Sequence, residues 1–363
     1  MATNFYKAAF SGKYIQGAGA LSTLPELINH FGEKALIITT KTPVKHALEP
    51  VKANLPAGTK IELFGGECCT SEIERINGII ESGSFDVIIG LGGGKTLDTA
   101  KICADQNGCR VIIAPTIAST DAPHSGCAVI YTEDGVFERM YFQKNNPDAV
   151  LVDSQVIANA PVRFLVAGMG NALATWFEAR SCKQTRSENV VGGISPLTGI
   201  AMAQLCYNTL MEYGTAAKLA CERHVVTPAL DYIIEANILL SGIGFESSGL
   251  AAAHSIHDGL TALEETHDFY HGEKVAFGVL AGLHLNGEPV QVLEEVYRFC
   301  ELVGLPTTLS QIGLSGCSHD DLLKAAKRAC DPVESIHHEA VEITPQNVAA
   351  AMNAADAYGM SHL

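Results

Sequence analysis

Phe85-Asp86-Val87-Ile88-Ile89-Gly90-Leu91-Gly92-Gly93-Gly94-Lys95-Thr96-Leu97-Asp98-Thr99-Ala100-Lys101 changes period part-way along. Up to Leu91 the run is almost wholly apolar, as in a strand buried on both faces, and from Lys95 the spacing is helical. The three glycines between them permit a tight turn and let an anion approach backbone N–H groups at a helix N-terminus. Two known phosphate loops do not describe the turn. A P-loop requires glycine five positions before Gly94, where Ile89 stands, and Gly-x-Gly-x-x-Gly from Gly90 requires glycine at Lys95. On its residues alone the turn reads either as an anion cradle or as a bare strand-to-helix connection. Lys95 shifts the balance towards the cradle, because a helix dipole disfavours a cation in the first turn unless an anion lies nearby.

Outward from this turn, residues 35–40, 60–64, 85–91, 110–114 and 148–152 read as strands separated by amphipathic helical stretches, which predicts parallel strands with crossover helices. Residues 128–132 and 136–142 flank Glu133-Asp134-Gly135 and predict a β-hairpin. From about Pro161 the strand signals stop, and residues 162–182, 197–213, 227–241 and 249–263 show helical periodicity. The expected organisation is an α/β nucleotide-binding domain over 1–160 and an all-α metal- and substrate-binding domain over 161–363, with a ligand cleft between them.

At 363 residues, 47% of them hydrophobic and 18% charged, the chain has ample material for two cores. Its net charge of −16, without a basic run interleaved with aromatics, argues against nucleic acid and anionic membranes as partners. The eleven cysteines are an odd number and contain no Cys-x-x-Cys pair, so neither a disulfide framework nor a thiolate zinc site is expected. A reducing, cytoplasmic location follows, since the first residues lack a signal-peptide pattern and no segment reads as a membrane span.

Several blocks, in order along nearly the whole chain, resemble bacterial glycerol dehydrogenases: Phe64-Gly65-Gly66-Glu67-Cys68, Gly92 to Lys101, Pro115-Thr116-Ile117-Ala118-Ser119-Thr120-Asp121-Ala122-Pro123, Ala174-Thr175-Trp176-Phe177-Glu178-Ala179-Arg180, His224 to Leu230 and Tyr270 to Gly278. The resemblance implies a dehydroquinate-synthase-like fold, NAD as cofactor, one zinc ion per subunit, a homo-oligomer, and reversible oxidation of glycerol to dihydroxyacetone. Carried over by position, it implies that Gly92, Gly93, Gly94, Lys95 and Asp98 belong to the pyrophosphate turn, with Thr116, Ser119, Ser125, Cys127 and Tyr131 lining the rest of the cofactor site. Asp121 would contact substrate hydroxyls, although an Asp before Pro123 also suits an ordinary Asx-turn. The family usually carries an acid at the end of the first strand, where this chain has Thr40; that weakens the barrier to a 2′-phosphate, and NAD remains the expected cofactor.

Four histidines cluster in the helical half, His254 and His257 three apart and His267 and His271 four apart. Spacing alone leaves each open as a ligand or as an ordinary hydrogen-bonded histidine. The resemblance selects His254 and His271 as ligands, with His254 also at the reacting centre. The family's third ligand is an aspartate, whereas Gly168-Met169-Gly170-Asn171-Ala172 supplies a neutral amide. Thr175 stands where iron-dependent alcohol dehydrogenases carry a further histidine, which favours a three-donor, zinc-type site. Two alternatives accompany this reading. One is a metal-deficient, Asn171-bearing cofactor-binding protein with little activity. The other is a sibling alcohol or glycerol-phosphate dehydrogenase, disfavoured because few basic residues other than Lys274 cluster between 254 and 274.

Overall fold

A computed structural model describes residues 5–362 and groups the chain into two units. The α/β unit comprises Ala9–Val162 and Ala220–Gly242. The helical unit comprises Arg163–Leu219 and Ile243–Leu363, with the residues up to Ala8. A single break at 160/161 does not describe this grouping: the 227–241 helix, expected in the helical domain, belongs largely to the α/β unit. Helical periodicity reports a buried face and carries no information about which core that face joins.

The α/β unit holds a six-stranded, all-parallel sheet in the order β1-β8-β5-β4-β2-β3. The strands are β1 (Tyr14–Gly17), β2 (Ala35–Thr39), β3 (Lys60–Leu63), β4 (Val87–Gly92), β5 (Arg110–Pro115) and β8 (Ala149–Asp153). The short β1, Tyr-Ile-Gln-Gly, lies outside the expected strands: it is half-buried along its whole length and has a single aliphatic residue to mark it. β6 (Cys127–Tyr131) and β7 (Phe137–Phe142) form the expected antiparallel hairpin.

Numbering the helices of eight or more residues, α1 (Leu24–Phe31) covers one face of the sheet, where Ile37, Ile89, Leu91 and Ile112 meet Leu24 and Ile28. On the other face Leu36, Ile38, Ile88 and Ile113 pack with α2 (Thr70–Gly83) and α3 (Gly94–Asn107). Odd and even positions of β2, β4 and β5 therefore enter different cores, which explains their uninterrupted apolar runs. From β2 the chain continues outward to β3, and from β4 it continues to β5 on the opposite side. The sheet's switch point thus lies between β2 and β4, whose C-terminal ends carry Thr40 and Gly92 to Gly94.

Next come α4 (Val162–Thr185), α5 (Leu197–Glu222) and α6 (Pro228–Glu235). A π-helical turn over Ala236–Leu240 then leads to α7 (Ser241–Ser248). The chain ends with α8 (Ala252–Leu260), α9 (His271–Leu285), α10 (Val290–Val303), α11 (His319–Ala329) and α12 (Pro345–His362). None of the described helices is long and apolar enough to cross a membrane, and none of the eleven cysteines is in a disulfide.

Candidate active site

At the end of β4 the glycines divide their duties. A Cβ on Gly90 would lie 2.8 Å from the Ala100 Cβ, and one on Gly92 3.1 Å from Thr96, so these two let α3 pack closely on its strand. Gly94 has open space around its Cβ direction, and the N-cap residue Gly93 makes no side-chain cap. The first turn of α3 also contains no acid, leaving its N–H groups facing outward without a carboxylate of their own. Thr116 is held at the same edge, its N–H donating to Gly92 O at 3.0 Å.

Lys95 does have an anion beside it, and that anion is Glu67: Nζ lies 2.5 Å from Oε2 and 4.7 Å from the centre of the Tyr131 ring. Burial pushes the Tyr131 hydroxyl up to about 12, with Asp98 and Glu67 adding to the effect. Asp98 is itself buried. Its Oδ2 accepts the Val129 N–H at 3.1 Å and its Oδ1 lies 3.1 Å from Lys101 Nζ. Lys101, 1% exposed, donates to the carbonyls of Ala122, Ser125 and Cys127. The Asp98–Lys101 pair therefore shapes the 122–129 segment from within.

In that segment Ser125 Oγ donates to Ala122 O at 3.2 Å and the Cys127 thiol points at Ser125 Oγ at 3.4 Å. Ser119 is half-buried in the loop before it, and Thr40 adopts an extended conformation just past β2. Asp121 Oδ2 accepts from the buried Ser241 hydroxyl at 2.5 Å, and Asn237 Nδ2 donates to Ala118 O at 3.0 Å. Asn237 and Ser241 sit on and just after the π-helical turn, a feature frequent at functional sites. The buried His124 accepts the Ser11 N–H at Nε2. Burial, with Lys101 nearby, lowers its pKa to about 4.

In the helical unit, bare backbone sets the geometry. A Cβ on Gly272 would overlap the Ala167 carbonyl, and one on Gly170 would overlap the Gly272 carbonyl. Only glycines allow the start of α9 to press onto α4, and this approach brings His271, the first residue of α9, to Asn171 on α4. His271 Nε2 lies 2.9 Å from Asn171 Oδ1. The His254 ring, from α8, is centred 5.5 Å from that of His271.

Each ring is backed by a carboxylate. Glu178, 1% exposed and seven residues beyond Asn171 on α4, accepts the N–H groups of Ala251 and His254 at Oε1 (2.9 and 3.0 Å) and His254 Nδ1–H at Oε2 (2.7 Å). Asp258 Oδ1 accepts His257 Nδ1–H at 2.9 Å, and His257 Nε2 and His271 Nδ1 share a hydrogen bond of 3.1 Å. Burial, with the neighbouring His257, His254 and Lys274, drives the His271 pKa well below its ordinary value. Burial acts upward on Asp258, but the His257 hydrogen bond and the charges around it hold the carboxyl below its usual range. Nδ1 of His254 thus faces Glu178 and Nδ1 of His271 faces His257, so Nε2 is the nitrogen each ring could offer to a metal.

His271 Nε2 and Asn171 Oδ1 face each other at 2.9 Å beside the His254 ring, so Asn171, His254 and His271 fit one divalent ion with two imidazole donors and one amide donor. Among the described residues no group of three His, Cys, Asp or Glu offers a metal site, since the third position here is an amide. Thr175 presents its methyl to Gly244, where a Cβ would collide with it. The exposed His267 donates instead to Thr261 O at 2.9 Å.

The family described as iron-containing alcohol dehydrogenase matches residues 11–154. The glycerol dehydrogenase of Thermotoga maritima is 54% identical over 96% of both chains. The chain belongs to the glycerol dehydrogenase family. It is therefore an oxidoreductase. A second family member, from Escherichia coli, is 48% identical over 97% of both chains. Among solved structures, a probable glycerol dehydrogenase from Sinorhizobium meliloti superposes with a TM-score of 0.91 at 46% identity, covering 98% of this chain and 99% of the other. The dehydroquinate-synthase-like architecture expected from the family is the one observed.

Against this family background, sequence reasoning passed over Lys101, Ser241, Asn237, Asp258 and the positions of Glu67 and Glu178. Lys101 carried a readable signal, a lysine three residues after Asp98 on the buried face of α3. Ser241 and Asn237 carried none, because they lie more than a hundred residues from the loop they hold.

Proposed function

We propose that this chain oxidises glycerol, or a related vicinal diol, to the corresponding hydroxyketone with NAD as hydride acceptor, and that it runs the reaction in both directions at one zinc ion per subunit. The observation that carries the reading is the convergence of His254, His271 and Asn171, with both imidazoles turned to offer Nε2. The names of the full-length relatives support the diol. When bound, the metal supplies Lewis acidity and orientation to the substrate oxygen while the nicotinamide takes up the hydride.

The chain's own residues do the remaining work. Gly92, Gly93 and Gly94 expose the N–H groups of α3 to the pyrophosphate, with Lys95 close by and screened by Glu67. Thr116, Ser119, Ser125, Cys127 and Tyr131 line the cofactor, and Asp98 serves through Lys101 by shaping that lining. Asp121, held by Ser241, accepts hydrogen bonds from substrate hydroxyls. A phosphorylated substrate finds little support, because the buried Lys274 donates to Thr266 O and burial lowers its pKa. We place the enzyme in the cytoplasm as a homo-oligomer.

The test is NADH formation from glycerol and other vicinal diols, before and after removal of metal by a chelator and return of Zn2+. The reading requires diol-dependent turnover that disappears with the metal and returns with it. Absence of turnover with every diol in the zinc-loaded protein would refute it and leave a cofactor-binding protein.

A further inference from the structure

The donor set formed by Asn171, His254 and His271 contains no carboxylate, yet one carboxylate stands directly behind it and a second stands behind His257. Glu178 is buried and receives three N–H groups, one of them His254 Nδ1–H. Asp258 acts at one remove, through His257, on His271. The two arrangements come from different elements: Glu178 reaches across from α4 to the start of α8, while Asp258 and His257 lie together on α8 and reach the first residue of α9. They nevertheless share one feature: a hydrogen-bonding partner at Nδ1 on the side of the ring away from Asn171.

We infer that Glu178 and the Asp258–His257 pair are positioning residues of the divalent-metal site, each holding one histidine in its metal-accepting tautomer and together supplying the negative charge that Asn171 does not. The inference rests on reading Asn171, His254 and His271 as the metal donors. A dication held only by neutral donors in a buried site is costly, and hydrogen-bonded carboxylates just outside the ligands offset that cost while making the imidazoles more basic. Glu178 has a second duty, since Ala251 at the N-cap of α8 makes no side-chain cap and Glu178 caps that helix from outside. Asp258 has no such structural duty, and its side chain is 44% exposed. It is therefore the position at which a ligand-tuning role separates cleanly from a folding role.

The experiment is titration of the metal-free full-length protein with Zn2+ by calorimetry, and with Co2+ by its visible absorption. The unaltered chain, Asp258→Asn, Glu178→Gln and His271→Ala are compared, with thermal unfolding of each metal-free form as the folding control. His271→Ala should abolish binding; if it binds metal as the unaltered chain does, the assignment of the donors fails, and this inference with it. Asp258→Asn should weaken binding about tenfold to a hundredfold while its metal-free Tm stays unchanged. If Asp258→Asn binds as tightly as the unaltered chain while His271→Ala does not, the donors stand and the outer carboxylate role is overturned.

Two further measurements keep the inference exposed should Glu178→Gln fail to fold. Nitrogen-15 spectra of the metal-free protein should show His254 and His271 protonated at Nδ1, and protonation at Nε2 in either would overturn it. Combining Asp258→Asn with Asn171→Asp should recover most of the lost affinity, because charge returned at the donor replaces charge removed behind it; strictly independent effects would refute the compensation.

Discussion

His271 Nε2 lies 2.9 Å from Asn171 Oδ1, while Nδ1 of the same ring is hydrogen-bonded to His257 Nε2. The pair is set for a cation, with an amide where a carboxylate would bind a cation more strongly. Asn171→Asp should tighten zinc binding by about tenfold or more and raise diol-dependent turnover. Metal content after dialysis and initial rates of NADH formation check this, and equal metal content with equal rates in both forms would show that the amide suffices.

Ser241 donates to Asp121 across a separation of 120 residues, fixing the orientation of its carboxylate. Ser241→Ala removes one hydrogen bond to a charged group, on the order of 1.5 kcal/mol, so kcat/KM for the diol should fall about tenfold. KM for NAD should not move. A parallel rise in both Michaelis constants would instead indicate general damage to the 116–126 loop.

Thr40 ends β2 beside the switch point without a negative charge. Thr40→Asp should raise the preference for NAD over NADP by about tenfold, through repulsion of the 2′-phosphate and bonding to the ribose hydroxyls. The ratio of kcat/KM values for the two cofactors measures it; an unchanged ratio would place the ribose elsewhere.

His124 is buried and neutral, with a folded pKa of about 4 against an ordinary 6.5. Above pH 6.5 neither the folded nor the unfolded state binds a proton there, and the histidine makes no pH-dependent contribution. As pH falls below 6.5 the unfolded chain takes up the proton first, so stability drops until the folded state also protonates near pH 4, a loss of about 3 kcal/mol. Denaturant unfolding of the chain and of His124→Asn across this window should show a shallower pH dependence in the variant.

Much of the α/β unit was legible in advance because its evidence is local. The central strands are buried on both faces and read as apolar runs, and the glycine turn after Leu91 marks where β4 becomes α3. The hairpin was legible for the same reason, two strand-like runs around Gly135. The short β1 and the attachment of Ala220–Gly242 to the α/β unit were not, since β1 is half-buried throughout with one aliphatic residue and a helix does not record which core it will join.

At the candidate site the same division holds. Spacing left four histidines equivalent, and family resemblance singled out His254 and His271. The tertiary structure brings these two together with His257 and Asn171, while His267 turns to Thr261.

The amino-acid sequence by itself determined the residue types available to the chemistry: the glycines after β4, the histidines of the helical half, and an amide at position 171. Only the tertiary structure decided what those residues present to a ligand. Which nitrogen of a histidine carries its proton depends on the partner behind it, here Glu178 for His254 and His257 for His271. Those partners arrive where α8 meets α4 and α9, across 76 positions for Glu178 and 14 for His257, contacts that no local pattern encodes.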